Sequence, residues 1–279
     1  MLQQMIDVFT SAFHFPGLSG WLILLAIFLG IVFGAIWLAP YLPPLLKKRG
    51  LWIVGITSAF LTWIGIAFIQ VPLQRWTGQA LNYFWDVRTL TQWLFLTGIP
   101  QILLSGLVQE GSKLVPVVFY WWRNNWKFTP QFGLIAGAVS GAGFGIFEAV
   151  WVHNTIFATG WNWMYVEAGG FVALLGFWER FFCVGFHISA SALAGYGLAK
   201  GLGWQFYLIA SVLHAATNYS IVLLQKGLLT SVQTEFYIAG LALAITAVAL
   251  WLRWRGIKTT EEGVAVDYQP QKGFGVDVS

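Results

Sequence analysis

Residues 19–39 read SGWLILLAIFLGIVFGAIWLA, a stretch with no ionisable side chain and no proline. As a helix rising 1.5 Å per residue it would extend about 30 Å, the thickness of a bilayer's hydrocarbon core. Six further apolar runs follow, at about 51–72, 92–122, 131–153, 169–199, 203–224 and 235–254. The whole chain of 279 residues is 58% hydrophobic and 9% charged. Ordinary soluble domains are about 25% charged, so too few ions remain to solvate the surface of a soluble enzyme. Disorder is excluded by the aromatic share of 18%. The 15 Lys and Arg are scattered and form no basic stripe, which argues against a nucleic-acid partner. One cysteine, Cys183, leaves no disulfide framework and no Cys-rich zinc site. The expected architecture is an all-α polytopic bundle of seven membrane helices in a lipid bilayer, in a multi-pass protein of the cell membrane.

Residues 1–255 read as a single transmembrane domain and 256–279 as a polar cytoplasmic tail. Residues 1–17 carry Asp7 and no Lys or Arg, unlike a signal peptide. The third and fifth runs are longer than a span needs, and Pro100 and Pro116 are placed to break or kink the third. Residues 74–91 and 154–168, rich in Trp and Tyr, read as exterior loops. With the N-terminus outside, Lys47, Lys48, Arg49, Arg123, Lys127, Lys200, Arg253, Arg255, Lys258 and Lys272 fall inside, against Arg75, Arg88 and Lys226 outside. That asymmetry predicts N-out, C-in.

The informative residues are the ionisable ones within spans: Glu110, Lys113, Glu148, Glu179, Arg180, His187 and His214. A charge at mid-bilayer costs about 2.5–3.5 kcal/mol on insertion scales, so these groups must pair or face the bundle interior. Counting rise per residue places them in one band less than about 20 Å thick. On the fourth span Gly133, Gly137, Gly141 and Gly145 recur every four residues, a stripe that admits a neighbouring backbone, and Glu148 continues it. Arg180 and His187 lie two turns apart on the fifth span, where Arg180 is at the depth to pair with Glu148. His214 and Asn218 share a face of the sixth. Glu110 and Lys113, at i and i+3, suit an ion pair. His14 and His153 lie near span ends and are given no role.

Two imidazoles and a carboxylate in a semi-dry cavity suit hydrolysis. A Glu can serve as general base, and His or an Asn amide can stabilise an oxyanion. His187, His214 and Glu110 could instead hold a divalent metal such as zinc with one position open. Neither H-E-x-x-H nor G-x-S-x-G is present, and no aspartate lies in a span. Ser189, Ser191 and Ser211 stand in no recognisable catalytic motif.

The ordered blocks Gln109-Glu110-Gly111-Ser112-Lys113, Gly143-Phe144-Gly145-Ile146-Phe147-Glu148, Glu179-Arg180 with His187 and Gly195-Tyr196-Gly197, and His214-Ala215-Ala216-Thr217-Asn218 fall on four successive spans. Over about residues 92–224 this pattern resembles the PrsW and YhfC branches of the CAAX-protease and bacteriocin-processing superfamily. The resemblance implies an intramembrane endopeptidase acting on membrane-protein or lipidated-protein substrates. By motif position, Glu110 matches the second Glu of the EExxK block and Lys113 its basic residue. Glu148 matches the next carboxylate, His187 and His214 the two histidines, and Asn218 the closing Asn. Gln109 stands where the family has its first Glu. Where that Glu activates water, Glu110 or Glu148 takes the role here, with Glu179 and Arg180 in support. Two rivals remain open: a non-catalytic scaffold, like the anterior-pharynx-defective subunit of γ-secretase, and a proton-coupled carrier. The oligomeric state is left open.

The orientation is testable by single cysteines placed at Gln3 and Asn125 in a Cys183→Ser chain. A membrane-impermeant maleimide is expected to label the first in intact cells and the second only after permeabilisation. The reverse pattern would invert the topology.

Overall fold

The computed structural model describes residues 1–264, with side chains through Arg255. It is helical, with no strand among the described residues. Helix α1 (Leu2–Ser11) precedes α2 (Gly20–Leu38), α3 (Gly50–Gly65) and α4 (Val71–Phe84). Next come the short α5 (Val87–Gln92) and α6 (Leu94–Thr97), then α7 (Ile99–Arg123) and α8 (Pro130–Ala158). The chain continues through α9 (Trp163–Gly169), α10 (Leu175–Ala199), α11 (Gly203–Asn218), α12 (Ser220–Gln225) and α13 (Ser231–Val264). Seven of the described helical segments are long and apolar enough to cross a membrane: Gly20–Tyr41, Gly50–Phe84, Leu94–Arg123, Pro130–Ala158, Trp163–Ala199, Gly203–Gln225 and Ser231–Arg255. The tail expected from residue 256 begins as a continuation of α13 to Val264, and 265–279 lie outside the described residues.

Helix boundaries depart from hydropathy where polar groups find partners. The segment expected as a loop from residue 74 continues as α4, because Gln74 and Gln101 bond each other's backbone carbonyls across α4 and α7. Between α3 and α4 the chain makes one π-turn, Ile66–Gln70. The other expected loop is helical at both ends, through Ala158 and again in α9. The third run is interrupted at Trp93 and at Gly98, either side of α6 and just before Pro100 in the first turn of α7, where its missing N–H is harmless. Pro116 does not break α7, which runs on to Arg123. Asp86 caps α5 by accepting from the Thr89 amide at 2.7 Å, which holds its carboxyl below the usual carboxylate range. Helix α1 docks beside α3: Trp63 Nε1 donates to the Phe9 carbonyl at 2.9 Å.

Helix α8 is the centre of the bundle. Its most apolar window is 72% buried, against 22–44% for the other six spans, and it packs on α10, α3 and α2. The glycine stripe explains the closest of these contacts. A Cβ at Gly133 would strike the Gly195 carbonyl, one at Gly137 the Ser191 carbonyl, and one at Gly141 the His187 carbonyl. On another face, a Cβ at Gly143 would strike the Gly55 carbonyl of α3. Backbone atoms cannot step aside as a flexible side chain can, so these positions admit hydrogen alone. His153, near the end of α8, is fully buried between Phe33 and Phe177, with ring centroids at 5.5 and 5.2 Å. The span end there is covered by neighbouring helices, which makes His153 a packed core residue.

Gly→Ala in a helix interior ordinarily stabilises by about 1 kcal/mol. Here the sign should reverse. Gly137→Ala and Gly143→Ala are expected to destabilise by about 1–3 kcal/mol through overpacking, read as a fall of several degrees in melting temperature in detergent. Gly240→Ala, which would meet nothing within 4 Å, should not lower it. Unchanged melting of the first two would show that the helices are not held in backbone contact.

Candidate active site

Four helices deliver side chains to one buried polar cluster. Helix α7 presents Glu110 and Lys113, α8 presents Glu148, α10 presents Arg180 and His187, and α11 presents His214. Glu110 and Lys113 are each 1% exposed, His214 3% and His187 4%, so every charge here must be answered by protein. Lys113 Nζ donates to Glu110 Oε1 at 2.5 Å and lies 2.9 Å from His187 Nδ1. His187 Nε2 is 3.1 Å from Glu148 Oε2, which also accepts from Arg180 Nη1 at 3.0 Å. Arg180 Nη2 also donates to Glu179 Oε1 and lies 3.3 Å from Cys183 Sγ. His214 Nδ1 is 2.7 Å from Glu110 Oε1.

These contacts assign the tautomers. An ammonium has only donors, so His187 Nδ1 accepts from Lys113. Its proton then sits on Nε2 and is donated to Glu148. An ionised carboxylate only accepts, so His214 Nδ1–H donates to Glu110 and Nε2 keeps its lone pair. Each imidazole therefore has one nitrogen engaged by a carboxylate, the arrangement that orients a metal-binding or catalytic histidine. Phe144 and Phe186 wall the cluster edge-on, with centroids 5.1 Å from His187 and 5.5 Å from His214 respectively.

The helix–helix contacts explain why these groups meet. Gly141 brings α8 against the backbone of His187 itself, so the glycine stripe sets the position of that imidazole. On the other side, a Cβ at Gly106 of α7 would strike the Ser211 carbonyl of α11. This seats α11 close enough for His214 to reach Glu110. Ser140 of α8 donates to the Lys113 carbonyl at 2.5 Å, fastening α8 to α7.

Other candidates lie nearby but elsewhere. The Gln109 amide turns away from Glu110's partners and donates to Gln70 Oε1 at 3.1 Å. Asn218 Nδ2 donates to Ser105 Oγ at 2.9 Å, five residues before Glu110 on α7. Of the residues the sequence reading left aside, one takes part and two lie apart from the cluster. Ser191 Oγ is 3.4 Å from Glu110 Oε2, and its small-residue neighbourhood was the available signal. Gln70 is buried but sits in the π-turn, where helical spacing from sequence misplaces its face. Glu235 of α13 buries Oε2 without a hydrogen-bond partner.

Glu110, His187 and His214 each offer a ligand atom, all within 4.8 Å of one another. Two imidazoles and a carboxylate form a three-ligand set that leaves a fourth position for water or substrate, so the donor set fits a divalent ion such as zinc. Lys113 is bonded to two of those three residues, so an ion and its ammonium compete for the same donors.

No curated protein and no solved structure matches the chain. The model of the PrsW family, described as intramembrane metalloproteases, matches residues 47–251. That range takes in every member of the polar cluster and six of the seven spans in whole or in large part. By that match the chain belongs to the PrsW family of intramembrane metalloproteases.

Proposed function

We propose that the chain hydrolyses a peptide bond in a membrane-embedded or lipid-linked protein of the cell membrane, with Glu110 handling the proton of the attacking water. The observation that carries this reading is the company Glu110 keeps. One buried carboxylate bonds an ammonium and one imidazole, with a second imidazole nitrogen within 4.8 Å, inside a bundle of membrane-crossing helices. A cluster of this cost persists for a reason other than stability, since buried ion pairs contribute little to it. Glu110 takes a proton from water as the oxygen adds to the peptide carbonyl. The C–N bond then breaks, and Glu110 returns that proton to the leaving nitrogen. Lys113, with one proton beyond those given to Glu110 and His187, places positive charge where an oxyanion develops, and the His214 Nδ1–H fixes the Glu110 carboxylate beside it. Asn218 keeps a second amide proton beyond the one given to Ser105, and we assign it to the same oxyanion. Glu148, fixed by Arg180 with Glu179 behind it, holds His187 in its tautomer. A divalent ion such as zinc, held by Glu110, His187 and His214 in place of the Lys113 bonds to the first two, would supply Lewis acidity and a more acidic water there, with Glu110 then a ligand rather than the base.

A non-catalytic scaffold is the rival, and it leans on Gln109. That amide faces Gln70 on the second span while Glu110 enters the cluster, so the cluster does not depend on a carboxylate at position 109.

The test is cleavage of a panel of single-span reporter proteins co-reconstituted with the purified chain. Wild type is expected to cut at least one member, and His214→Ala to lower kcat by about 10²–10⁴-fold. Metal analysis of the same samples separates the two roles of Glu110: activity without bound zinc keeps it as the base, whereas zinc in wild type with chelator-sensitive activity, lost from a His187→Ala/His214→Ala chain, would make it a ligand. Full activity in His214→Ala would overturn the site. A stoichiometric co-purifying protein with no cleavage of any reporter would favour the scaffold.

A further inference from the structure

A second polar feature runs beside the cluster, and the hydrolytic scheme does not use it. Four glutamines form a ladder on the seam between the second and third spans. Gln109 Nε2 donates to Gln70 Oε1 at 3.1 Å, and Gln70 Nε2 to Gln74 Oε1 at 3.4 Å. Gln74 Nε2 then donates to the Gln101 carbonyl at 2.8 Å, and Gln101 Nε2 returns a bond to the Gln74 carbonyl at 2.9 Å. The ladder starts one residue from Glu110 and climbs toward the end of the bundle that the charge pattern assigns to the outside. At its top lies a cavity of about 340 Å³. Leu81, Trp85, Leu90, Trp93, Leu96 and Pro100 line it, the short helices α5 and α6 supplying part of its wall.

Interhelical amide bonds are ordinary glue in membrane bundles, but glue completes its own bonds. This ladder does not. Gln109, 7% exposed, buries Oε1 with no partner. The Gln70–Gln74 bond is long, and each amide offers two donors and two lone pairs, so capacity is left over along the seam. The ladder is also aligned by an irregularity. The π-turn Ile66–Gln70 inserts an extra residue into the second span. Without it Gln70 would be rotated by roughly a quarter turn, about 100°, away from Gln109. π-turns of this kind occur disproportionately at functional sites.

We propose that this ladder is the subsite for a substrate's unwound backbone, reached through the Trp85–Trp93 cavity. The inference rests on the proteolytic reading and names what it acts on: a membrane-spanning segment whose helix is broken near the outer end. A peptide bond inside a helix is shielded by its own hydrogen bonds, and a strand drawn out of the helix brings unpaired N–H and C=O groups into a medium without water. Amide side chains donate and accept at once, so they answer both kinds of group whatever the side-chain sequence. A carboxylate ladder, which only accepts, would not. The apolar cavity with its two indoles receives the segment at the interface, where indole rings are favoured.

The test is binding, read in nanodiscs with the Glu110→Gln chain so that no turnover intervenes. Two synthetic single-span peptides of about 25 residues serve as probes, one with a Gly-Gly-Pro break in its outer third and one an unbroken Leu/Ala helix. The broken peptide is expected to bind at least about tenfold more tightly. Gln74→Leu with Gln101→Leu, which removes the two reciprocal side-chain-to-carbonyl bonds together and takes the acceptor from Gln70 Nε2, should erase that preference. Benzoyl-phenylalanine at Leu81 should crosslink the broken peptide, and at Trp251 should not; this arm decides the matter if the double variant fails to fold. No preference in the parent chain, a preference that survives the double substitution, or crosslinking equal at both positions would overturn the subsite. Because binding is measured without catalysis, a chain that binds the broken peptide yet cuts nothing would contradict the proteolytic reading and leave the ladder standing.

Discussion

The approach of α8 to α10 at the distance of backbone contact governs the rest of the molecule. Gly133, Gly137 and Gly141 each face a carbonyl of the neighbouring helix, with no room for a methyl group. The contact at Gly141 is to His187 itself. Helix packing and site assembly are therefore one event: the van der Waals surface that joins the two helices also sets where an imidazole meets Glu148 and Lys113. Lipid offers helices no hydrophobic incentive to associate, so small residues and polar pairs must do it. This chain uses both, with a glycine stripe on α8, further close-packed glycines on α7 and α10, and the charges across four helices.

The buried charges form a continuous line. From His214 it passes through Glu110, Lys113, His187, Glu148 and Arg180 to Glu179, each joined to the next by a hydrogen bond. Glu179, at the far end, has a side chain 32% exposed, while the Glu110 and Lys113 side chains are at 1% and 0%. The line thus grades from a dry centre to a wetter end, and the most enclosed members are those assigned to chemistry. Glu148 bonds His187 Nε2 and is itself held by Arg180, and in the proposed scheme it works with Lys113 to fix which nitrogen of His187 carries the proton. The glutamine ladder is built differently. It is neutral, it lies on another seam, and it leaves hydrogen-bonding capacity unspent.

Much of this was legible in the residues. Hydropathy located the seven spans because twenty apolar residues have few other places to go. The four-residue glycine period pointed to the inner face of α8. The price of intramembrane charge singled out Glu110, Lys113, Glu148, Arg180, His187 and His214, and the Glu148–Arg180 pair was expected from depth alone. What stayed hidden depends on partners distant in sequence. Nothing in Lys113 says that its ammonium will reach His187, 74 residues away. Hydropathy ended the second span at Pro72 because it counts the transfer cost of Gln74 but not the Gln101 carbonyl that offsets it. His153 looked peripheral because a span end was equated with a membrane surface. The π-turn, which no side-chain period announces, moved Gln70 to a face that regular helical spacing does not assign it. Gln109 stands where a first carboxylate was expected, yet its side chain belongs to the seam with the second span, while Glu110 and Glu148 are the carboxylates inside the cluster.

The central claim is that Glu110 handles the proton while Glu148 only positions His187. The direct measurement is kcat on one cleavable single-span reporter for Glu110→Gln and Glu148→Gln in the same membranes. The account predicts a loss of about 10³-fold or more for Glu110→Gln. For Glu148→Gln it predicts a loss of about 10–100-fold, the usual effect of removing a carboxylate that orients a histidine. A Glu148→Gln chain that is inactive beside a Glu110→Gln chain that still turns over would contradict it.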